Sequence, residues 1–173
     1  MASIINASNS TGLTLTSDLS GVLQLQQNGV ALPALSVAPA FNAYLSSAQA
    51  YSTTTYTKVT FDTEVFDTNN NFASSRFTPT VAGYYQLNAT TFQYAGSGNM
   101  TVEIVQIWKN NVAACGCRVD VTTSQMAVNT STVLYANGST DYFEVFVYTS
   151  ATSPSLASGA INTFFSGCLV RGA

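Results

Sequence analysis

The chain has 173 residues, of which 46% are hydrophobic and only 8% are charged, and its formal net charge at pH 7 is −3. This length suits one compact domain with a short appendage, and the apolar fraction is ample for a core. The five basic residues are scattered and form no phosphate-binding patch, so we expect no nucleic-acid partner. There is also no run of about 18 apolar residues and no polybasic segment, so we expect no membrane partner.

Residues 1–39 predict a small docking arm followed by a linker of small residues flanked by prolines. Alternating leucines and an intervening Ser-Asp-Leu-Ser-Gly turn indicate two short strands, with Asn28-Gly29 closing the far end of the hairpin. The leucines are Leu13, Leu15, Leu23 and Leu25. A two-stranded hairpin is marginally stable alone, so we expect the leucine face to pack on another subunit or another protein.

From residue 40 to residue 173 the pattern changes to period-two alternation broken by turn signals. Such a pattern is typical of a β-sandwich or jelly roll, so the predicted fold class is all-β. Tyr85 and Leu87 alternate with Gln86 and Asn88, which places the two pairs on opposite faces of one strand.

Two further segments carry distinct patterns. Residues 101–108 are largely apolar and predict a strand that is buried on both faces. Residues 57–66 predict one strand on which Val59, Phe61 and Val65 mark the apolar positions.

Residues 142–148 predict a strand with bulky side chains on both faces. Phe143 and Val145 face one way, whereas Tyr142 and Phe146 face the other. An antiparallel sheet of a monomeric sandwich needs one wet face, so the second aromatic face favours oligomerisation. The alternative is that tyrosine simply favours strands and tolerates a half-wet position.

The cysteines and the absence of histidine argue against a metal site or a disulfide framework. Cys115, Cys117 and Cys168 are odd in number, and we expect them to be small buried apolar side chains. A lone Cys-x-Cys offers only two thiolates, so we expect no cofactor.

The only local cluster of carboxylates is Asp62, Glu64 and Asp67. Paired carboxylates can hydrolyse glycosides, but the chain lacks histidine, a nucleophile elbow and a phosphate loop, so we expect no enzyme. The loop at residues 67–71 opens like a calcium loop. Phe72 then stands where glycine is needed, and Thr78 stands where a bidentate glutamate is needed, so a plain asparagine-rich turn is favoured over calcium.

Several motifs follow a familiar order. They are Phe77-Thr78-Pro79, Ala82-Gly83-Tyr84-Tyr85, the segment from Leu134 to Val147 around Gly138, and Phe165-Ser166-Gly167-Cys168-Leu169. On these motifs, residues 41–170 resemble the C1q-like member of the C1q and tumour-necrosis-factor jelly-roll superfamily, in the form found on bacteriophage particles. The usual Gly-Asp is replaced by Gly138-Ser139-Thr140-Asp141, so no calcium site is carried over from animal relatives.

The resemblance implies a jelly-roll β-sandwich that assembles as a tight homotrimer. On that basis we expect Tyr142, Phe146 and Phe165 at the trimer interface, with Gln86 and Asn88 lining the axis as polar neighbours. No collagen repeat or secretory leader is visible, which disfavours a soluble animal-type ligand.

The segment at residues 11–32 resembles one that precedes diverse domains in phage virion proteins. The resulting hypothesis is a capsid decoration, or cement, protein that is made in the host bacterial cytoplasm and lies on the virion surface. It would dock on the major capsid protein through its N-terminal arm. The alternative is a trimeric tail-fibre or receptor-binding tip that recognises a host surface glycan or protein.

Overall fold

The computed structural model describes residues 26–27, 30–31 and 38–173. The chain divides into two compact units at the bond between Ala34 and Leu35. The four leucines of the predicted docking arm, Leu13, Leu15, Leu23 and Leu25, lie outside the described residues, so the arm and its role stay predictions.

The first unit contains a short antiparallel strand pair. Strand β1 (Gln26–Gln27) pairs with β2 (Val30–Ala31), and Gln27 lies opposite Val30.

The second unit, over residues 38–173, is built from β-strands. They are β3 (Ala40–Tyr44), β4 (Gln49–Ala50), β5 (Thr57–Lys58), β6 (Thr63–Asp67), β7 (Phe72–Ala73), β8 (Arg76–Phe77), β9 (Gly83–Tyr94), β10 (Glu103–Lys109), β11 (Val112–Val119), β12 (Gln125–Ala136), β13 (Phe143–Thr149), β14 (Ser155–Leu156) and β15 (Phe164–Gly172). The described part of the chain holds no helix of the length and apolarity that a membrane crossing requires.

The strands form two antiparallel sheets, as predicted for a sandwich. The six-stranded sheet runs β11-β10-β13-β8-β7, and β5 also pairs with β13. The seven-stranded sheet runs β4-β14-β9-β15-β3-β6, and β12 pairs with β9 along its whole length. Strands that are distant in sequence, such as β3 and β15, are therefore neighbours in the sheet.

The core lies between the two sheets, because every second side chain along a strand points inward. In β9 the burial alternates from residue to residue, so that Tyr85 and Leu87 are fully buried while Gln86 and Asn88 are half-exposed. This confirms the predicted faces of the strand. Residues 101–108 also behave largely as predicted, because β10 buries Ile104 as well as its inward residues.

Phenylalanine rings dominate the core. Phe41 stacks on Phe77 with ring centroids 4.2 Å apart, and the ring of Phe165 meets Phe41 edge-on at 4.9 Å. Offset and edge-to-face pairs at these distances add to the stabilisation from burial. The core therefore joins strands from both ends of the domain's sequence.

The predicted single strand at residues 57–66 is wrong. It is divided into β5 and β6, and Val65 is exposed rather than facing the core with Val59 and Phe61. The pairing of β6 with β3 shifts register where Phe66 lies opposite Asn42 and Glu64 lies opposite Ala43. This bulge leaves Val65 out of the ladder and breaks the alternation.

The predicted burial of the cysteines is also corrected. Cys115 and Cys117 are half-buried on one face of β11, and Cys168 is exposed on β15. Cys117 packs at the margin of the core. All three are free thiols.

Candidate self-association surface

The outward face of β12, β9, β15 and β3 forms a broad surface on the side of the seven-stranded sheet away from the core. The register places Tyr135 opposite Tyr84 and Val133 opposite Gln86. Cys168 lies opposite Gln86 on the other side of β9. Antiparallel pairing thus gathers the alternate residues of four strands onto one face. We call this face the outward surface.

One end of the outward surface is aromatic and apolar. Tyr84 and Tyr135 are 44% and 42% exposed, and Val133 and Val170 are 49% and 54% exposed. The two tyrosine rings contact each other with centroids 5.5 Å apart. Together with Arg171 these side chains line an open pocket of about 570 Å³. Contiguous exposed apolar side chains of this kind mark interaction surfaces.

The centre of the outward surface is polar. Gln86, Ser131 and Asn88 pair with one another there, whereas the buried Asn42 Oδ1 on β3 has no hydrogen-bond partner among the described residues. Gln86 Nε2 donates to Ser131 Oγ at 2.7 Å, and Ser131 Oγ donates to Asn88 Oδ1 at 2.9 Å. Gln86 Nε2 also lies 3.2 Å from Asn88 Oδ1. Because these groups already pair within one chain, covering them removes few hydrogen bonds to water.

The backbone beneath the aromatic end is held by an ion pair. Lys109 Nζ donates to the carbonyl of Tyr135 at 2.8 Å and lies 2.8 Å from Asp141 Oδ2. The hydrogen bond from Lys109 is the main cause that holds the pKa of Asp141 below its usual value. The end of β12 is therefore tied to the loop that leads into β13.

The prediction that Phe165 lies at the trimer interface is wrong. It is fully buried in the chain's own core, where it lies opposite Ala43 and Ala89, and it offers no surface to another copy. The neighbouring Phe164 is the half-exposed residue. Side chains alternate along β15, so a shift of one residue exchanges core for surface.

The structure does not bring the five predicted interface residues together. Gln86 and Asn88 lie on the outward surface, whereas Phe146 is half-buried on the solvent face of the six-stranded sheet. Tyr142 precedes that strand, and its ring is covered by the Arg76 guanidinium, whose Cζ is 3.8 Å from the ring centroid. A role for these four residues in trimer contacts stays a prediction.

Glu144 is the ion-pair partner of the cations near Tyr142. Its carboxylate is 2% exposed and accepts hydrogen bonds from Lys58 Nζ at 2.7 Å and Arg76 Nε at 2.9 Å. Burial alone would raise the pKa of Glu144, but these two hydrogen bonds outweigh burial and hold the pKa below its usual value. This cluster joins β5, β8 and β13 of the six-stranded sheet.

Two of the three clustered carboxylates accept hydrogen bonds that fix the conformation of loops. Asp62 accepts hydrogen bonds from the backbone and hydroxyl of Ser46, and these lower the pKa of Asp62. Asp67 accepts from the backbone N–H groups of Asn69 and Phe72, which shapes the turn after β6. Among the described residues, no three His, Cys, Asp or Glu side chains are placed to share a metal ion.

Sequence reasoning missed Tyr84, Tyr135, Val133 and Val170 as surface residues. The exposure of Tyr84 could have been predicted, because Tyr84 lies two residues before Gln86 in β9 and therefore points to the same face. Tyr135 and Val170 become neighbours of Tyr84 only through long-range strand pairing. No local pattern could have brought them together.

No protein-family model matches the chain, and no curated protein matches it. Among solved structures, a crystal structure of murine APRIL at pH 8.0 is similar with a TM-score of 0.58 and 11% identity, covering 77% of this chain and 99% of that one. Eiger TNF from S. frugiperda is similar with a TM-score of 0.57 and 8% identity, covering 79% of this chain and 94% of that one. At these identities the similarity shows the fold alone: the described sandwich is a TNF-like jelly roll.

Proposed function

We propose that the chain is a non-enzymatic structural protein that assembles as a homotrimer through the outward surface of its seven-stranded sheet. The observation that carries the proposal is the exposed aromatic and apolar end of that surface, formed by Tyr84, Val133, Tyr135 and Val170. When a second copy covers such a surface, apolar area is removed from water and the free energy falls. The resemblance of residues 41–170 to the C1q and TNF superfamily supports a threefold arrangement.

The place of this trimer, in our proposal, is the surface of a bacteriophage capsid, where it acts as a decoration protein. Residues 11–32 resemble a segment that precedes diverse domains in virion proteins. In this proposal the N-terminal arm docks on the major capsid protein and the trimeric sandwich bridges neighbouring subunits. Three linked arms would reinforce a shell without strong individual contacts, because linkage raises their effective concentration.

The self-association step is tested by Val133→Asp. We expect the wild-type chain to have the mass of a trimer and the variant to have the mass of a monomer, as measured by light scattering after size exclusion. The reason is that burying a carboxylate in a largely apolar interface costs several kcal/mol. Val133 is 49% exposed, so the fold of the single chain should tolerate the change.

The matched control is Val112→Asp. Val112 is 68% exposed on β11, in the other sheet, and the same chemical change there should leave the trimer intact. A Val133→Asp variant that stays trimeric, or a wild-type chain that is monomeric at micromolar concentration, would remove the outward surface as the interface.

The virion step is tested by cryo-electron microscopy of particles with and without this protein. We expect trimeric density over the capsid lattice, and particles that burst more readily when the protein is absent. Density confined to the tail, with intact heads and lost adsorption to the host, would contradict capsid decoration and establish a receptor-binding tip.

A further inference from the structure

Four aromatic side chains meet on the solvent face of the six-stranded sheet, on the opposite side of the sandwich from the outward surface. They are Tyr56, Trp108, Phe146 and Tyr148, and we call them the aromatic cluster. Trp108 stacks on Phe146 with centroids 4.1 Å apart. Tyr56 contacts Trp108 at 5.9 Å and Tyr148 at 5.1 Å, and it is 39% exposed.

Hydrogen-bonding groups are fixed around the aromatic cluster. The indole N–H of Trp108 donates to Gln106 Oε1 at 2.9 Å, which orients the amide so that its NH₂ group remains for other acceptors. Gly116 lies opposite Gln106 on β11, and a side chain there would collide with Gln106. At the rim, Arg118 donates to the Asp120 carboxylate at 2.7 Å, and both side chains are more than half exposed.

The named charges beside the cluster, three cations and two carboxylates, leave an excess of one positive charge. Arg118 is paired with Asp120, and the two cations Lys58 and Arg76 share Glu144. Each of these cations is already held in an ion pair, which weakens its attraction for a phosphate or a polyanion. The surface therefore combines apolar rings with hydrogen-bond donors and acceptors, and its net charge is small.

We propose that the aromatic cluster, with Gln106, Arg118 and Asp120, binds neutral saccharide units. The C–H face of a sugar ring packs on aromatic side chains, and its hydroxyl groups both donate and accept hydrogen bonds. The carboxylate of Asp120 accepts from such hydroxyls, while Arg118 and the Gln106 amide donate to them. A few placed polar groups beside aromatic side chains are the usual composition of a small-ligand site.

The test uses the full chain with three immobilised neutral polysaccharides, a mannan, a β-glucan and a galactan, and with alginate as the anionic comparison. Binding is measured by biolayer interferometry. We expect binding to at least one neutral polymer and a loss of roughly tenfold or more in affinity for Tyr56→Ala, as for the truncation of a central aromatic contact. The matched control is Tyr94→Ala, because Tyr94 is 38% exposed on β9 and should leave the affinity within about twofold.

A second variant, Arg118→Ala, removes a rim donor without touching the core, and we expect it to weaken binding as well. The proposal is overturned by binding to alginate alone, by no binding to any of the three neutral polymers, or by equal losses in the Tyr56 and Tyr94 variants. It does not rest on the proposed trimer. Val133→Asp should leave binding of a short, monovalent oligosaccharide unchanged even where it abolishes self-association.

Discussion

At the scale of single residues, Glu103 is the clearest case of an ionisable side chain in an environment that disfavours its charge. Its side chain is fully buried at the start of β10, its Oε1 accepts a hydrogen bond from Thr149, and its Oε2 has no partner among the described residues. Burial, offset in part by the Thr149 hydrogen bond, raises the pKa of Glu103 to about 7. The nearby Tyr51 hydroxyl donates to Gln93 Oε1 at 2.6 Å, and burial raises the pKa of Tyr51 as well.

A pH-dependent stability follows from Glu103. The pKa is about 7 in the folded chain and near 4.5 when unfolded, so the folded state holds the proton more tightly. The stabilisation is complete below pH 4.5 and is lost as pH rises through about 7. We expect Glu103→Gln, which cannot ionise, to gain roughly 2 to 3 kcal/mol relative to wild type between pH 5 and pH 8.

Urea unfolding at several pH values measures this difference. Glu64→Gln makes the same chemical change at an exposed carboxylate and should keep the wild-type fall in stability. If the difference between wild type and Glu103→Gln stays constant from pH 5 to pH 8, the buried carboxyl does not titrate in this range.

Phe165 provides a second prediction at this scale. Because it is fully buried among core rings, Phe165→Ala should lower the free energy of unfolding by about 3 to 5 kcal/mol. Phe146→Ala should cost less, because Phe146 is only half-buried. Thermal or chemical unfolding of the two variants checks the order. A Phe165→Ala chain of normal stability that fails to self-associate would return Phe165 to the interface.

The error over Phe165 shows what alternation alone leaves undecided. Phe164 and Phe165 are adjacent, identical in chemistry and equally suited to a strand, so composition cannot tell which one faces inward. The register decides, because Phe165 lies opposite Ala43 and Ala89, which are both fully buried. In β9 the difficulty did not arise, because Gln86 and Asn88 differ in polarity from Tyr85 and Leu87.

At the scale of elements, turns hold the strands in place, and Gly138 is the clearest case. It lies between β12 and β13 with φ of +72°, and a Cβ there would come within 2.4 Å of the Ala82 backbone nitrogen. The same loop is closed by Asn137, whose side-chain Oδ1 accepts from the backbone N–H groups of Thr140 and Asp141. The position therefore requires both a left-handed backbone and the absence of a side chain.

Gly138→Ala should consequently destabilise the fold by more than about 2 kcal/mol, since it adds a backbone collision to the cost of a positive φ. Gly98→Ala separates the two effects. Gly98 has φ of +68°, but nothing lies within 4 Å of a Cβ placed there, so we expect a cost of only about 1 to 2 kcal/mol. Equal melting temperatures for the two variants would mean that the Val81–Ala82 backbone moves aside at little cost.

Elements were predictable where their pattern was regular and unpredictable where pairing interrupted it. The alternation of β9 and the apolar run of β10 could be predicted because each strand has one partner with an unbroken register, β12 for β9 and β13 for β10. The division of residues 57–66 could not, because β5 pairs with β13 in one sheet while β6 pairs with β3 in the other, and the bulge that exposes Val65 is a property of the β3–β6 pair. A local window contains only one member of that pair.

At the scale of the whole molecule, the two sheets differ in how they present charge. The ion pairs of Lys58 and Arg76 with Glu144, and of Arg118 with Asp120, belong to the six-stranded sheet and its margins. On the outward surface of the central strands, by contrast, Arg171 is the charged residue beside the apolar pocket. The sheet order that produces this division depends on long-range pairing and could not be predicted from local patterns.

This division predicts how the proposed trimer responds to salt. Association that buries mainly tyrosine, valine and internally paired amides should change by less than about threefold in affinity between 0.05 and 1 M NaCl, because screening acts on exposed charges. Sedimentation velocity at the two salt concentrations measures the effect. Arg171→Ala should make the small remaining dependence smaller still. Dissociation at 1 M NaCl would instead mean that charged residues outside the outward surface hold the copies together, since an apolar interface is not weakened by salt.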